Sequence, residues 1–506
     1  MATYHSTRSK TPALASKEAI RRGIAEDGGL YVSDALGETV IDLDGLAGKG
    51  YLELAREVLG ALLPDLSADE VAACVSEAYE GTFESDEVTP VVELSGVPGA
   101  CDVPSYVLEL WHGPTSAFKD VALQMLPRLM SRATAAAGDG EGIMIVTATS
   151  GDTGKAALAG FADAPGTGIA VFYPDGKVSR VQELQMTTQE GSNVAVCAVR
   201  GNFDDAQSAV KRIFADRELA KRLREKGIVL SSANSINVGR LVPQVVYYFA
   251  AYAQLLRAGR IEAGDPVEFC VPTGNFGDIL AGYYARRMGL PVARLIVASD
   301  KNNVLFDFLT TGTYDRRRPF HTTTSPSMDI LISSNLERML YYLSEGDCEL
   351  VSQLMSDLAQ GSFTVPADLL ARIQEVFGCE WADEDEVAAA IKDCWERNGY
   401  LIDPHTACGY HALGSLPATE GAKARVLLST ASPYKFPRAV ASSLGLFCPP
   451  DDFACMKVLE KATGTCAPAQ LATLADKPVR FDDVVDIEGM GAFVESAALA
   501  SLKERA

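Results

Sequence analysis

Histidine is scarce in this chain: five among 506 residues, with no cluster. Cysteine numbers eleven, an odd count, scattered without a C-x-x-C pair. A disulfide framework and a zinc site are both poor readings of such a pattern, and reduced thiols in a cytoplasmic protein are the expectation. Positive charge is also short, 45 Lys and Arg against 67 Asp and Glu, for a formal charge of −22. A chain so acidic repels nucleic acid and anionic membrane, so neither is expected as a partner. An anionic ligand would need a cationic pocket set against that field, which makes every basic residue near a motif informative. Long hydrophobic runs are missing. The most apolar stretch, residues 245–256, is too short and too mixed to span a bilayer. The opening MATYHSTRSK has no apolar core of a secretory signal, so none is expected. There are no repeats and no low-complexity segment.

What is present describes a multidomain globular protein. Hydrophobic residues make up 47% and charged residues 22%, and 506 residues exceed what one core serves, so two or three domains are expected. The first 95 or so residues read as helical. One amphipathic segment opens at Ser16, a second covers 51–63, and a third covers 67–79 with Ser67 as its N-cap. Between the first two, Asp27-Gly28-Gly29-Leu30-Tyr31 forms a turn and a short apolar run. After Pro90 the pattern changes to β-rich runs at 143–147, 169–173, 194–199, 267–271, 294–298 and 426–429, each followed by a turn and a helical stretch. That alternation implies parallel sheet covered on both faces, an α/β protein. Residues 335–397 read as mostly helical, and their acidic run 383–386 as a solvated face or loop. Val245 to Phe249 reads as packing.

Ligands of open parallel sheets gather beyond the carboxyl ends of the strands. Three loops there are unusual. Thr149-Ser150-Gly151-Asp152-Thr153-Gly154 is either an anion site at a helix N-terminus or a capped turn. Gly274-Asn275-Phe276-Gly277 follows a strand and precedes a helix, with two glycines that let amides approach a phosphate; it fits neither the dinucleotide nor the P-loop pattern. Ser429-Thr430-Ala431-Ser432-Pro433 sets a hydroxyl at a strand end, where it could meet a buried heterocycle. Lys119 sits at a helix start, where a cation is disfavoured, beside apolar Ala117 and Phe118 that would lower its pKa. Schiff-base chemistry and a surface lysine both remain open at this point.

Taken together, the segments resemble threonine synthase, a fold type II pyridoxal-phosphate (PLP) enzyme. The resemblance is carried by Ser6-Thr7-Arg8, DGGLY at 27–31, HGPTSAFKD at 112–120, TSGDTG at 149–154, GNFDD at 201–205, NSIN at 234–237 with Arg240, TGNFGD at 273–278 and STASP at 429–433. These stand in family order over nearly the whole chain. DGGLY and HGPT-x-AFKD are specific to the family, while TSGDTG and GNFG are shared more widely among fold type II enzymes.

The resemblance implies a tryptophan synthase beta-like fold. A mostly helical N-terminal domain would span 1–95, a large PLP-binding α/β domain 96–135 and 255–506, and a small α/β domain 136–254. It implies pyridoxal 5'-phosphate joined to Lys119, its phosphate on the amides of Gly274, Asn275, Phe276 and Gly277, and its ring nitrogen on Thr430. Thr149, Ser150, Asp152 and Thr153 would hold the substrate carboxylate and part of its phosphate; Asn234, Ser235 and Arg240 would bind the phosphate. The implied reaction converts O-phospho-L-homoserine and water to L-threonine and phosphate, in a monomer or homodimer. A serine or threonine dehydratase would share the lysine and the glycine loop without needing a substrate-phosphate pocket. A PLP-binding protein without activity is the third reading, and every expected catalytic position is filled. Two positions depart from the family: Ser432 stands where a histidine is usual, and Arg180 where a small or neutral residue is expected. Asp278, beside a phosphate loop, is expected to point away, and His112 to be structural. Residues 322–328 resemble a family loop near the active site, with no ligand role assigned.

Overall fold

The computed structural model describes residues 4–99, 102–149 and 151–502. Two parallel sheets organise it. The larger has six strands in the order Phe377–Trp381, Val292–Ser299, Val267–Pro272, Ala424–Ser429, Ser105–Glu109 and Val91–Glu93, with only the last antiparallel. Its inner strands, Val267–Pro272 and Ala424–Ser429, are buried at every position, as strands covered on both faces must be. The charged pair inside this layer is matched: Arg425 Nε donates to Glu268 Oε1 at 2.7 Å, both side chains shut off from water. Arg425 also reaches the carbonyls of Leu413 and Leu416, which end the helix Pro404–Ser415.

The second sheet has five parallel strands in the order Val484–Asp486, Val194–Arg200, Thr167–Pro174, Gly142–Ala148 and Ile228–Ser231. The chain thus returns to this sheet near its end, and the helix Met490–Leu502 packs over it. All six β-rich runs of the sequence are strands. Strands Ser105–Glu109, Ile228–Ser231, Phe377–Trp381 and Val484–Asp486 were not among those runs. The N-terminal region holds the expected helices, Ser16–Arg22, Tyr51–Leu62 and Ala68–Tyr79, the last capped by Ser67. It also holds an antiparallel sheet of Tyr4–Ser6, Ser9–Leu14 and Tyr31–Ser33, which a helical reading misses because two of its strands are only three residues long. The acidic run 383–386 is the capped first turn of the helix Glu384–Asn398, with Asp383 and Glu386 capping one another's amides.

The helix Val238–Arg257 runs through the core, with Tyr247, Tyr248 and Phe249 fully buried. A second close contact positions the chemistry. Helices Lys119–Ala137 and Asp152–Phe161 approach so tightly that a Cβ on Gly160 would lie 1.8 Å from the Leu123 carbonyl oxygen. Only glycine allows that approach, and it brings the first residue of one helix to the first residue of the other.

Candidate active site

Parallel strands deliver their following loops to one edge, and two of these loops, after Ser105–Glu109 and after Ala424–Ser429, are tied together by three backbone bonds. Leu110 N–H donates to Ser429 O at 3.0 Å, Phe118 N–H to Thr430 O at 2.8 Å, and Ser432 N–H to Ser116 O at 3.1 Å. This stitching fixes Lys119 relative to Thr430. Lys119 is 7% exposed, with its ammonium 4.7 Å from the Phe118 ring centre. Burial lowers its pKa to about 8; Asp152 opposes the shift, and the cations of Lys435 and Arg240 add to it.

Asp152 collects the positive charge. Lys155 Nζ lies 3.0 Å and Lys435 Nζ 2.8 Å from its Oδ1, and Lys119 Nζ 3.6 Å from its Oδ2. Burial alone would push the carboxyl up; Lys155, Lys435 and Lys119 outweigh it and hold Asp152 well below the usual carboxylate range. Lys155 donates to Gln185 Oε1, and burial drives its pKa well down. Lys435 donates to the Thr115 carbonyl at 3.1 Å. Three buried lysines around one carboxylate form the local cationic pocket that a chain of charge −22 needs for an anionic ligand.

Ser327 links this cluster to a buried histidine. Lys119 Nζ donates to Ser327 Oγ at 3.2 Å, and Ser327 Oγ donates to Asp152 Oδ2 at 3.0 Å. The Ser327 N–H donates to His405 Nε2 at 3.1 Å, while His405 Nδ1 lies 2.7 Å from Asp403 Oδ1. A backbone amide can only donate, so Nε2 accepts and the ring proton sits on Nδ1, facing Asp403. Ser432, where a histidine was expected, is buried and caps the turn at Tyr434 N–H. The buried histidine that reaches the Ser327 backbone comes from the helix Pro404–Ser415.

The glycine turn lies alongside. Phe276 adopts φ 61°, and the helix Gly277–Arg287 begins at once. Among the described residues, the amides of Gly274, Asn275, Phe276 and Gly277 have no acceptor. Four open N–H donors at a helix start make an anion nest. A Cβ on Gly274 would sit 3.2 Å from Met328 Cα and from the Ser327 carbonyl oxygen, and one on Gly277 3.3 Å from Asn335 Nδ2. Ser235 is adjacent: its hydroxyl meets Ser334 Oγ at 3.3 Å, and Ser334 Oγ reaches Asn275 Oδ1 at 3.3 Å.

Arg240 is 5% exposed, and Nη1 donates to the Ala233 carbonyl at 2.9 Å. No carboxylate pairs with it among the described residues, and burial lowers its pKa to about 10. Asn234 is exposed at the loop surface. The Thr149 hydroxyl is spent inside its own loop, accepting from Gly151 N–H at 3.0 Å and Gly154 N–H at 3.1 Å, which leaves it little reach toward a ligand. Thr153 is half-buried, and Ser150 lies outside the described residues. Asp278 is buried, its Oδ1 held by the Tyr247 and Tyr248 hydroxyls; burial raises its pKa to about 7, so near neutral pH its charge beside the anion nest is only partly present. Arg180 pairs with Glu183 on the surface. His112 bonds Glu109 and Glu84 and stacks on Trp111. Sequence reading missed Lys155, Lys435 and His405; it noted that 322–328 resembles an active-site loop but gave Ser327 no role. Lys155 directly follows TSGDTG and Lys435 stands two residues past STASP, and that nearness was the available signal.

Residues 83–430 match the family of pyridoxal-phosphate dependent enzymes, 3–79 the threonine synthase N terminus, and 406–494 the threonine synthase C-terminal region. The chain is 40% identical to the threonine synthase of Pseudomonas aeruginosa, over 86% of this chain and 89% of that one. This chain belongs to the threonine synthase family. The PLP-bound threonine synthase from Brucella melitensis superposes with a TM-score of 0.86 at 39% identity, covering 98% of this chain and 100% of that one. The yeast threonine synthase gives 0.86 at 35% identity, covering 98% and 99%. Human threonine synthase-like 1 is 40% identical over 79% of this chain, but the chain spans only 54% of that protein's length.

The family member is therefore a fold type II PLP-dependent enzyme, and its residues fit the cofactor. The open amides of 274–277 suit the phosphate, the buried Lys119 amine suits the aldehyde, and Thr430 lies at the strand end where a ring nitrogen needs a neutral partner. No helix among the described residues is long and apolar enough to cross a membrane.

Proposed function

We propose that this enzyme converts O-phospho-L-homoserine and water to L-threonine and phosphate, by γ-elimination of phosphate followed by addition of water at Cβ. The observation that carries the choice of substrate is Arg240, a buried guanidinium with no carboxylate partner among the described residues. An uncompensated buried cation is costly unless an anion arrives. A second anion site beside the nest at 274–277 suits a phosphorylated substrate.

When bound, pyridoxal 5'-phosphate supplies the electron sink that makes the substrate's Cα–H acidic. Lys119 would hold it, with Gly274, Asn275, Phe276 and Gly277 donating to its phosphate and Thr430 facing its ring nitrogen. Asn234, Ser235 and Arg240 orient the substrate phosphate as the leaving group at Cγ. Asp152 and Thr153 are assigned to the substrate carboxylate and part of its phosphate, as is Ser150, while Thr149 shapes that loop from within. Lys119 Nζ would take and return protons at Cα, Cβ and Cγ one at a time, handing each on before it takes the next. Ser327 keeps that amine aimed between strokes, because its hydroxyl accepts from Nζ while donating to Asp152. Burial of the cluster excludes bulk water, so protons leave and return through these groups. We further assign the enzyme to the cytoplasm, as a monomer or homodimer, with domains at 1–95, 96–135 with 255–506, and 136–254, the last completed by the strand Val484–Asp486 and the helix Met490–Leu502 from the chain's end.

The test is turnover of O-phospho-L-homoserine by the purified, PLP-loaded enzyme, with released phosphate and threonine measured together. One threonine per phosphate supports the reading. Phosphate without threonine, or serine dehydration with no phosphohomoserine turnover, overturns it.

A further inference from the structure

The helices Pro437–Ser443 and Asp452–Thr463 follow directly from the loop that carries Lys435. They are latched together at three points. Arg438 Nε donates to Asp452 Oδ1 at 2.7 Å, Cys455 Sγ–H to the Pro437 carbonyl at 3.3 Å, and the Tyr434 and Thr465 hydroxyls meet at 2.7 Å. Across the connection between the helices, Cys448 Sγ stands 3.1 Å from Cys455 Sγ. The two thiols are unequal. Cys455 is fully buried, whereas Cys448 is half-exposed.

We propose that Cys448 and Cys455 are a redox pair that hydroperoxides convert to an intramolecular disulfide, tying the connection at 448 to the helix Asp452–Thr463 and releasing the S–H contacts to the segment behind Lys435. A disulfide bond is about 2.05 Å long, so the sulfurs must close by about 1 Å, a side-chain adjustment that leaves both helices in place. The exposed sulfur acts first. The Cys448 thiolate attacks the O–O bond of the hydroperoxide; an S–O bond forms, the alcohol or water leaves with a proton, and Cys448 becomes a sulfenic acid. The Cys455 sulfur then attacks the Cys448 sulfur. The S–S bond forms, the S–O bond breaks, and hydroxide leaves as water with the Cys455 proton. Two thiols and one hydroperoxide give one disulfide, one alcohol or water, and one further water. Burial, together with Cys448, pushes the Cys455 thiol up to about 12. It therefore stays protonated and cannot lead, which sets the order of steps. The pair owes nothing to the substrate reading and stands or falls separately from it.

The connection also has a purpose in the fold. Lys435 is 2.8 Å from Asp152, and Pro437 and Arg438, two and three residues on, are the groups that the dithiol side of the latch grips. Closing the bond removes both S–H donors, so the Pro437 and Arg438 carbonyls lose these contacts and the hold of 433–438 on the helix Asp452–Thr463 rests on the Arg438–Asp452 pair and the Tyr434–Thr465 hydroxyls.

The experiment treats the full-length, PLP-loaded enzyme with one equivalent of hydrogen peroxide, then alkylates it and digests with trypsin. Cleavage after Arg438 and Lys457 yields one peptide, 439–457, that contains both cysteines. The expected product is this peptide lighter by two hydrogens, closed to alkylation, and reopened by dithiothreitol. Cys455→Ser should stop at a sulfenic acid on Cys448 that dimedone traps, and Cys448→Ser should leave Cys455 unmodified. A peptide 439–457 that still takes two alkyl groups after peroxide, dimedone found on Cys455, or Cys448 linked to Cys466 of another copy would each overturn the proposal.

Discussion

Ser327 Oγ bridges Lys119 and Asp152, accepting from Nζ at 3.2 Å and donating to Oδ2 at 3.0 Å. The loop is held at this point by its own backbone, through the Ser327 N–H bond to His405. Ser327→Ala therefore removes the hydroxyl and leaves the loop anchored. The expected result is a kcat about 10- to 100-fold lower with KM little changed, as for loss of a proton-handling group. The pH profile should also lose or shift the limb that reports the Lys119 amine. Ser327→Thr, which keeps the hydroxyl, should recover part of the rate. A Ser327→Ala enzyme with the original pH profile would assign the serine a purely structural role.

The pKa of Lys119 makes a second prediction. Burial lowers it to about 8 from the ordinary lysine value, so the neutral amine that captures an aldehyde becomes abundant as pH rises through 8. Cofactor capture by the apoenzyme, followed by absorbance, should accelerate with an inflection near that pH. An inflection near the ordinary lysine value of about 10.4 would mean the amine is solvated. The same sign governs folding. A lysine depressed in the folded state is neutral there at a pH where the unfolded chain still binds a proton, so its contribution to stability grows as pH rises from about 8.

Arg240→Ala should cut kcat/KM for O-phospho-L-homoserine about 100-fold or more, the scale set by charge-assisted bonds to a buried anion. Arg240→Lys should restore little, because an ammonium cannot present the planar fork. Both variants should retain the cofactor, whose phosphate is assigned to the amides of 274–277. Loss of cofactor in Arg240→Ala with unchanged substrate kinetics would reverse the two anion sites.

Asp278 titrates near pH 7 because burial disfavours its charge, with the Tyr247 and Tyr248 hydroxyls only partly compensating. A carboxyl raised in the folded state weakens folding as pH climbs from its unfolded value to about 7. Asp278→Asn keeps an acceptor for the tyrosines and removes that dependence. Urea unfolding at pH 5 and pH 8 should show the variant gaining on the wild type by about 2–3 kcal/mol between those conditions. Equal differences at the two pH values would show that the carboxylate is charged and matched.

How much of this was readable in the sequence depends on distance along the chain. The six β-rich runs were legible because parallel strands buried on both faces are continuous apolar stretches, and Ser67 because a cap and its partner lie three residues apart. Lys119 drew attention through its immediate neighbours. The loop holding Ser327 showed only its resemblance, and His405 gave no local sign: Ser327 lies 208 positions from Lys119 and 78 from His405, and only the meeting of loops at the sheet edge joins them. The edge strand Val484–Asp486 escaped for a related reason. It is three residues long, and its partner Val194–Arg200 is almost three hundred residues earlier. Lys155 and Lys435 were visible beside their motifs, but a lysine inside a helix reads as solvated until a facing carboxylate is known.

Three buried lysines around one carboxylate also define the decisive measurement. The PLP-loaded enzyme is reduced with borohydride, which fixes the cofactor to whichever amine holds it, and the labelled peptide is sequenced by mass spectrometry. The account predicts the label on Lys119, one per chain, and no label in the Lys119→Ala enzyme. A label on Lys155 or Lys435, or a protein that stays colourless when offered the cofactor, would contradict it.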